Sequence, residues 1–107
     1  MVLDDQYAFL SGLVAADFPA GLEVLGDVAA ETRAVLATIG SILDELQLRK
    51  DHIVRVDVHL SDLDDFNAMD AAYREFFEDN AFPARTTTKS KHLFGGSKVE
   101  ITCQVRR

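Results

Sequence analysis

A chain of 107 residues, 48% apolar and 27% charged, has the size and balance of one folded domain spanning residues 1–107, which excludes both a disordered tract and a pair of domains. No run of about 18 apolar residues occurs, so no helical membrane span is expected. A formal net charge of −7 disfavours nonspecific nucleic-acid binding, and a single cysteine excludes an internal disulfide or a cysteine-built zinc site.

The first strand is expected over Tyr7–Val14, an aromatic and aliphatic run interrupted by Ser11-Gly12. Asp17–Gly26, with one proline and two glycines, reads as loop. Asp27 is placed to cap a helix running to about Leu46, whose Val28, Val35, Leu36, Ile39, Ile42, Leu43 and Leu46 form one stripe. Gly40 inside it costs about 1 kcal/mol against alanine, which marks it as a point of close packing.

Ile53–Leu60 alternates, with Val54, Val56, Val58 and Leu60 on one side and Arg55, Asp57 and His59 on the other. Ser61 or Asp62 then opens a second helix to about Asp79, with Leu63, Phe66, Met69, Tyr73, Phe76 and Phe77 as its stripe. Two strands follow, near Arg85–Lys91 and Lys98–Val105, joined by a turn at Gly95-Gly96. The last has Val99, Ile101, Cys103 and Val105 on one face and Glu100, Thr102 and Gln104 on the other. The order β-α-β-α-β-β, with right-handed crossovers, implies an α+β two-layer sandwich: one mixed sheet carrying two helices on a single face. Its other face is too polar for a core, and is either wet or covered by another subunit.

The chemistry-bearing residues are few. The three histidines stand at no ligand spacing, and Asp62, Asp64 and Asp65 suit a helix start better than a calcium loop. No metal site is expected. Cys103 shares the apolar face of its strand. Asp70 falls within the apolar stripe between Phe66 and Tyr73, where a carboxylate either finds a partner or reaches water at the stripe's edge. Pro83-Ala84-Arg85-Thr86-Thr87-Thr88 sets a guanidinium, a planar fork for a carboxylate, at the head of a strand. Residues 1–84 hold five basic and seventeen acidic side chains, whereas residues 85–107 hold six basic ones against Glu100 alone. Such a stretch draws a small anion or a neighbour's acidic surface, although lysines also guard strand edges.

Six blocks together carry a resemblance. They are Phe9-Leu-Ser-Gly-Leu, Glu31-Thr-Arg-Ala-Val-Leu-Ala-Thr-Ile, Ile53-Val-Arg-Val-Asp-Val-His-Leu-Ser-Asp-Leu-Asp-Asp-Phe, Tyr73-Arg-Glu-Phe-Phe, Phe82-Pro-Ala-Arg-Thr and Val99-Glu-Ile. Their order and spacing, including the fifteen-residue step from Arg85 to Glu100, resemble the RidA (YjgF-type) family of reactive-intermediate deaminases over nearly the whole chain. The resemblance implies a chorismate-mutase-like fold assembled as a homotrimer with pockets between subunits. It also implies a cofactor-free enzyme hydrolysing small 2-imino acids to 2-keto acids and ammonia; the lone cysteine and the absence of a signal-like start make a cytoplasmic location the default expectation. Arg85 would hold the substrate carboxylate and Glu100 would place the attacking water, with Ser11, Gly12, Thr87 and Asp70 lining the same pocket. Asp70 stands where an asparagine is common, Leu13 replaces a frequent glutamine, and Thr87 replaces a frequent cysteine. The family's N-terminal Gly-Pro-Tyr-Ser-type segment has no counterpart here, and Tyr7 is not at its place. A non-catalytic trimer binding a small carboxylate is the alternative. A ribonuclease or translation inhibitor is a third reading, which the acidic balance opposes.

Overall fold

The computed structural model describes residues 1–77 and 82–107. Strands β1 (Val2–Leu3), β2 (Tyr7–Val14), β3 (Ile53–Leu60), β4 (Ala84–Lys89) and β5 (Val99–Arg106) form one sheet in the order β1-β2-β5-β3-β4. β3 and β4 run parallel, and the other neighbouring pairs are antiparallel. Helices α1 (Pro19–Leu22), α2 (Val28–Glu45) and α3 (Phe66–Phe76) complete the chain. The fold is the expected α+β arrangement, one mixed sheet with its helices on one face.

Local chemistry accounts for the helix boundaries. The Asp27 carboxylate accepts a hydrogen bond from Ala30 N at 3.1 Å and opens α2, which ends one residue short of Leu46. Asp62 accepts from Asp64 N at 2.9 Å and starts a short 3₁₀ turn, Leu63–Asp65, that leads into α3. The expected end of that helix at Asp79 lies outside the described residues. Val28, Val35, Leu36, Ile39 and Leu43 of α2, Met69 and Tyr73 of α3 and Phe77 at its end bury against the sheet. There they meet Ala8, Leu10, Val56, Val58, Leu60, Ile101, Cys103 and Val105. Burial pushes the Cys103 thiol up to about 12, so it is a protonated core residue at neutral pH.

Four expectations change. The segment read as loop contains a 3₁₀ turn, Ala15–Asp17, and α1, begun by Pro19 at its first turn. β1, only two residues long, was not anticipated. The last two strands are not a hairpin, because β3 lies between them. The connecting segment straddles the end of β3: Ser90 N donates to Leu60 O at 2.9 Å, and Ser61 N donates to Lys98 O at 3.0 Å. Gly95, with φ 66°, passes so close to Ala16 that an added Cβ would lie 2.4 Å from the alanine methyl.

Gly40 is the fourth. A Cβ there would sit 3.6 Å from the Phe76 ring, an ordinary contact rather than a clash. Gly40→Ala is therefore expected to raise the unfolding free energy by about 1 kcal/mol in urea titration. A lowered midpoint would show that the α2–α3 contact has no room for the methyl.

The sheet face opposite the helices is polar, as its alternation requires. Arg55 donates to Asp57 at 3.0 Å and to Thr86 at 2.9 Å, and His59 Nδ1 bonds Thr88 Oγ1 at 2.7 Å. Among the described residues no helix is long and apolar enough to cross a membrane.

Candidate functional site

Strand register decides which side chains meet. Arg85 and Thr87 stand opposite the core residues Val56 and Val58, so they point to the helix side of the sheet. Arg85 reaches α3, where its Nη1 donates to Asp70 Oδ1 at 2.7 Å. The other Asp70 oxygen accepts from Arg74 Nε at 2.8 Å, one helical turn on. The Arg85 guanidinium lies over the Tyr73 ring, 4.5 Å from its centroid, and 5.5 Å from that of Phe66. Asp70, Tyr73, Arg74, Phe82, Pro83 and Arg85 enclose an open recess of about 290 Å³. The helix places Asp70, Tyr73 and Arg74 here because positions three and four apart share a face.

The electrostatics follow from this packing. Partial burial opposes ionisation of Asp70, but hydrogen bonds from Arg74 and Arg85 outweigh it and hold the carboxyl below its ordinary value. Burial pushes the Tyr73 hydroxyl up to about 12, with Arg85 acting weakly in the other direction. Tyr73 Oη and Thr87 Oγ1 are buried and find no hydrogen-bond partner among the described residues.

Glu100 lies elsewhere. Its β3 partner is His59, on the polar face, so its side chain leaves the sheet on the side opposite Arg85. The register of β2 against β5 shifts between Leu10 and Leu13, and in that bulge, which also holds Ser11, Gly12 passes over the Glu100 carboxylate. A Cβ on Gly12 would come 2.7 Å from Glu100 Cδ and 2.9 Å from Oε1, so a larger residue there would have to push the Glu100 carboxylate aside. Ser11 and Gly12 are exposed and Glu100 is half-buried.

The six expected site residues thus fall into two groups. Arg85, Asp70 and Thr87 share the helix side; Glu100, Gly12 and Ser11 share the open face. Within one chain Arg85 and Glu100 do not meet, since two strand spacings and the sheet itself separate them. Asp70 finds a partner, which removes the alternative of an acid merely reaching water. Sequence reasoning missed Arg74 and gave Tyr73 and Phe66 only a core role; the Asp70–Arg74 spacing of four was the available signal. Among the described residues no three His, Cys, Asp or Glu side chains gather as metal ligands.

Comparison with known proteins bears on this arrangement. The model of the family described as "Endoribonuclease L-PSP" matches residues 1–106. Human 2-iminobutanoate/2-iminopropanoate deaminase is 35% identical over 100 residues, covering 94% of this chain and 72% of the human protein. The E. coli YjgF gene product superposes with a TM-score of 0.90 at 31% identity, over 99% of this chain and 84% of YjgF. E. coli TdcF, solved with bound serine, superposes with a TM-score of 0.90 at 26% identity, over 99% and 84% of the two chains. With that match, those identities and the six blocks in register, the chain belongs to the endoribonuclease L-PSP family, the RidA or YjgF-type proteins.

Proposed function

We propose that this protein hydrolyses small 2-imino acids to 2-keto acids and ammonia, at sites built between copies of the chain. The observation that carries this is the carboxylate already seated on Arg85. The guanidinium, backed by the Tyr73 ring, holds the Asp70 carboxylate in charge-assisted contact, which supports its use as a carboxylate site. A relative named as an iminobutanoate and iminopropanoate deaminase, and a structural neighbour holding serine, supply ligands of that class.

The reaction needs two groups. Arg85 fixes the substrate carboxylate, which sets the adjacent C=N carbon in place. Glu100 accepts a proton from water as its oxygen bonds to that carbon, giving a carbinolamine, and the proton passes to the nitrogen. Collapse of the carbinolamine to C=O breaks the C–N bond and releases ammonia. Arg85 and Glu100 leave opposite faces of one sheet, so both act on one substrate only if a second copy contributes one of them. A closed homotrimer that buries the polar face meets that need.

The test is keto-acid release from 2-iminobutanoate generated in situ by an amino-acid oxidase, with semicarbazide trapping free imine. Wild type is expected to outpace trapping. Arg85→Ala and Glu100→Gln chains, each inactive alone, are expected to regain about a quarter of wild-type activity when co-assembled at random, since one site in four then holds both intact groups. Inactive mixed oligomers would overturn the shared site.

A non-catalytic carboxylate-binding protein is the second reading, favoured by the occupation of Arg85 by Asp70. Ligand binding without turnover by wild type would establish it. The ribonuclease named in the family description has less support, since the chain's −7 charge repels phosphates.

A further inference from the structure

The recess beside Arg85 holds two guanidinium groups and one carboxylate, and the carboxylate is divided between them. Asp70 gives one oxygen to Arg85 and the other to Arg74. The two arginines differ in setting. The Arg85 side chain is 20% exposed and that of Asp70 18%, whereas Arg74 is 64% exposed at the recess mouth. The inner contact is thus shielded, and the outer one is a solvent-facing pair within one helix.

This asymmetry gives Asp70 somewhere to go. The pair with Arg74 is local, spanning four residues of α3, and does not depend on β4. A ligand carboxylate arriving at Arg85 would have to displace one oxygen of Asp70, and Arg74 would still compensate the residual charge. Two positive charges and one negative leave one positive charge unmatched, which a ligand with a single carboxylate neutralises.

We propose that Asp70 and Arg74 set the ligand selectivity of the Arg85 site. Asp70 is a built-in competitor that weak anions fail to displace, and Arg74 is the acceptor that makes displacement feasible for a monocarboxylate. The proposal rests on the reading of Arg85 as a carboxylate site and adds to it a threshold set by two further residues. Neither touches the reacting atoms; both act through Arg85.

The experiment measures binding of 2-oxobutanoate, a monocarboxylate of the product class, by calorimetry to five proteins: wild type, Asp70→Asn, Arg74→Ala, the double variant and Arg85→Ala. Asp70→Asn is expected to tighten binding about 10-fold, because a charge-assisted contact no longer has to be broken. Arg74→Ala is expected to weaken binding about 2- to 3-fold in the wild-type background and to change it little in the Asp70→Asn background, the coupling that a purely structural role would lack. Unchanged or weaker binding by Asp70→Asn overturns the proposal. So does an Arg74→Ala effect equal in both backgrounds, which would place Arg74 directly on the ligand. If wild type binds, Arg85→Ala does not and Asp70→Asn matches wild type, the carboxylate reading survives and the threshold alone is lost. If Asp70→Asn and wild type both fail to bind, the carboxylate reading falls and takes the proposal with it. Thermal unfolding of each variant separates these outcomes from a loss of fold.

Discussion

Arg85→Ala is expected to lower kcat/KM for 2-iminobutanoate by about 100- to 1,000-fold while leaving the fold in place. The loss follows from removing a charged, fork-shaped donor whose side chain is only 20% exposed at the recess, where such contacts count for most. The rest of the site persists, because Tyr73 is a core residue, Phe66 packs against the core and Asp70 keeps its contact with Arg74. Stability should fall by only about 1–2 kcal/mol, the cost of leaving part of the Asp70 carboxylate without a partner. Arg85→Lys restores charge without the planar fork and should recover part of the activity only. Initial rates with the semicarbazide competition and a circular dichroism spectrum decide the matter. An unimpaired Arg85→Ala enzyme would end the assignment of Arg85 to the substrate.

The largest expected effect on stability lies away from the site, at Glu31. This residue is fully buried, yet its carboxylate is satisfied at both oxygens: Gly26 N donates to Oε2 and Lys98 N donates to Oε1, each at 2.8 Å. Its place in the first turns of α2 adds the favourable field of the helix N-terminus. The side chain ties the entrance of α2 to the start of β5, two residues before Glu100. Glu31→Ala strands two backbone amides and leaves a cavity, for an expected loss of about 3 kcal/mol. Glu31→Gln keeps one good acceptor and should cost roughly half as much. Urea midpoints measure both; an alanine variant within about 0.5 kcal/mol of wild type would mean that water or a local shift replaces the carboxylate.

Much of the architecture was legible because the sequence carries one period at a time. The α2 stripe and the alternation of β3 and β5 each answer to a single buried face, and Asp27 caps where its side chain predicts. β1 gave no signal because two residues hold no period. α1 was hidden because Pro19 and Gly21 look like loop residues, although Gly21 packs so tightly that an added Cβ would meet the Ala15 carbonyl. Strand order was not legible either. Periodicity assigns faces within a strand but does not say which strand lies beside which.

The same limit governed the site. The open-face position of Glu100 could be read from the valine and isoleucine flanking it. The side taken by Arg85 could not, since Ala84-Arg-Thr-Thr-Thr-Lys has no apolar alternation and β4 is an edge strand with little to bury. Its parity comes only from pairing with β3. Arg74 escaped notice for a related reason: an exposed helical arginine four residues after an aspartate is ordinarily a surface pair, and only the approach of β4 turns its partner inward.

The central place of β5 has a consequence for how the chain comes into being. β2 and β3 do not touch one another in the sheet; each is joined to β5, which follows both in chain order. Until β5 emerges, β2 and the β3–β4 pair are joined only through their helices, each with a strand edge awaiting its neighbour. Completion of the sheet, burial of Cys103 and presentation of Glu100 beneath Gly12 therefore coincide in one late event. A synthesis halted before β5 yields no smaller working version of this protein, only a sticky precursor for the cell to clear.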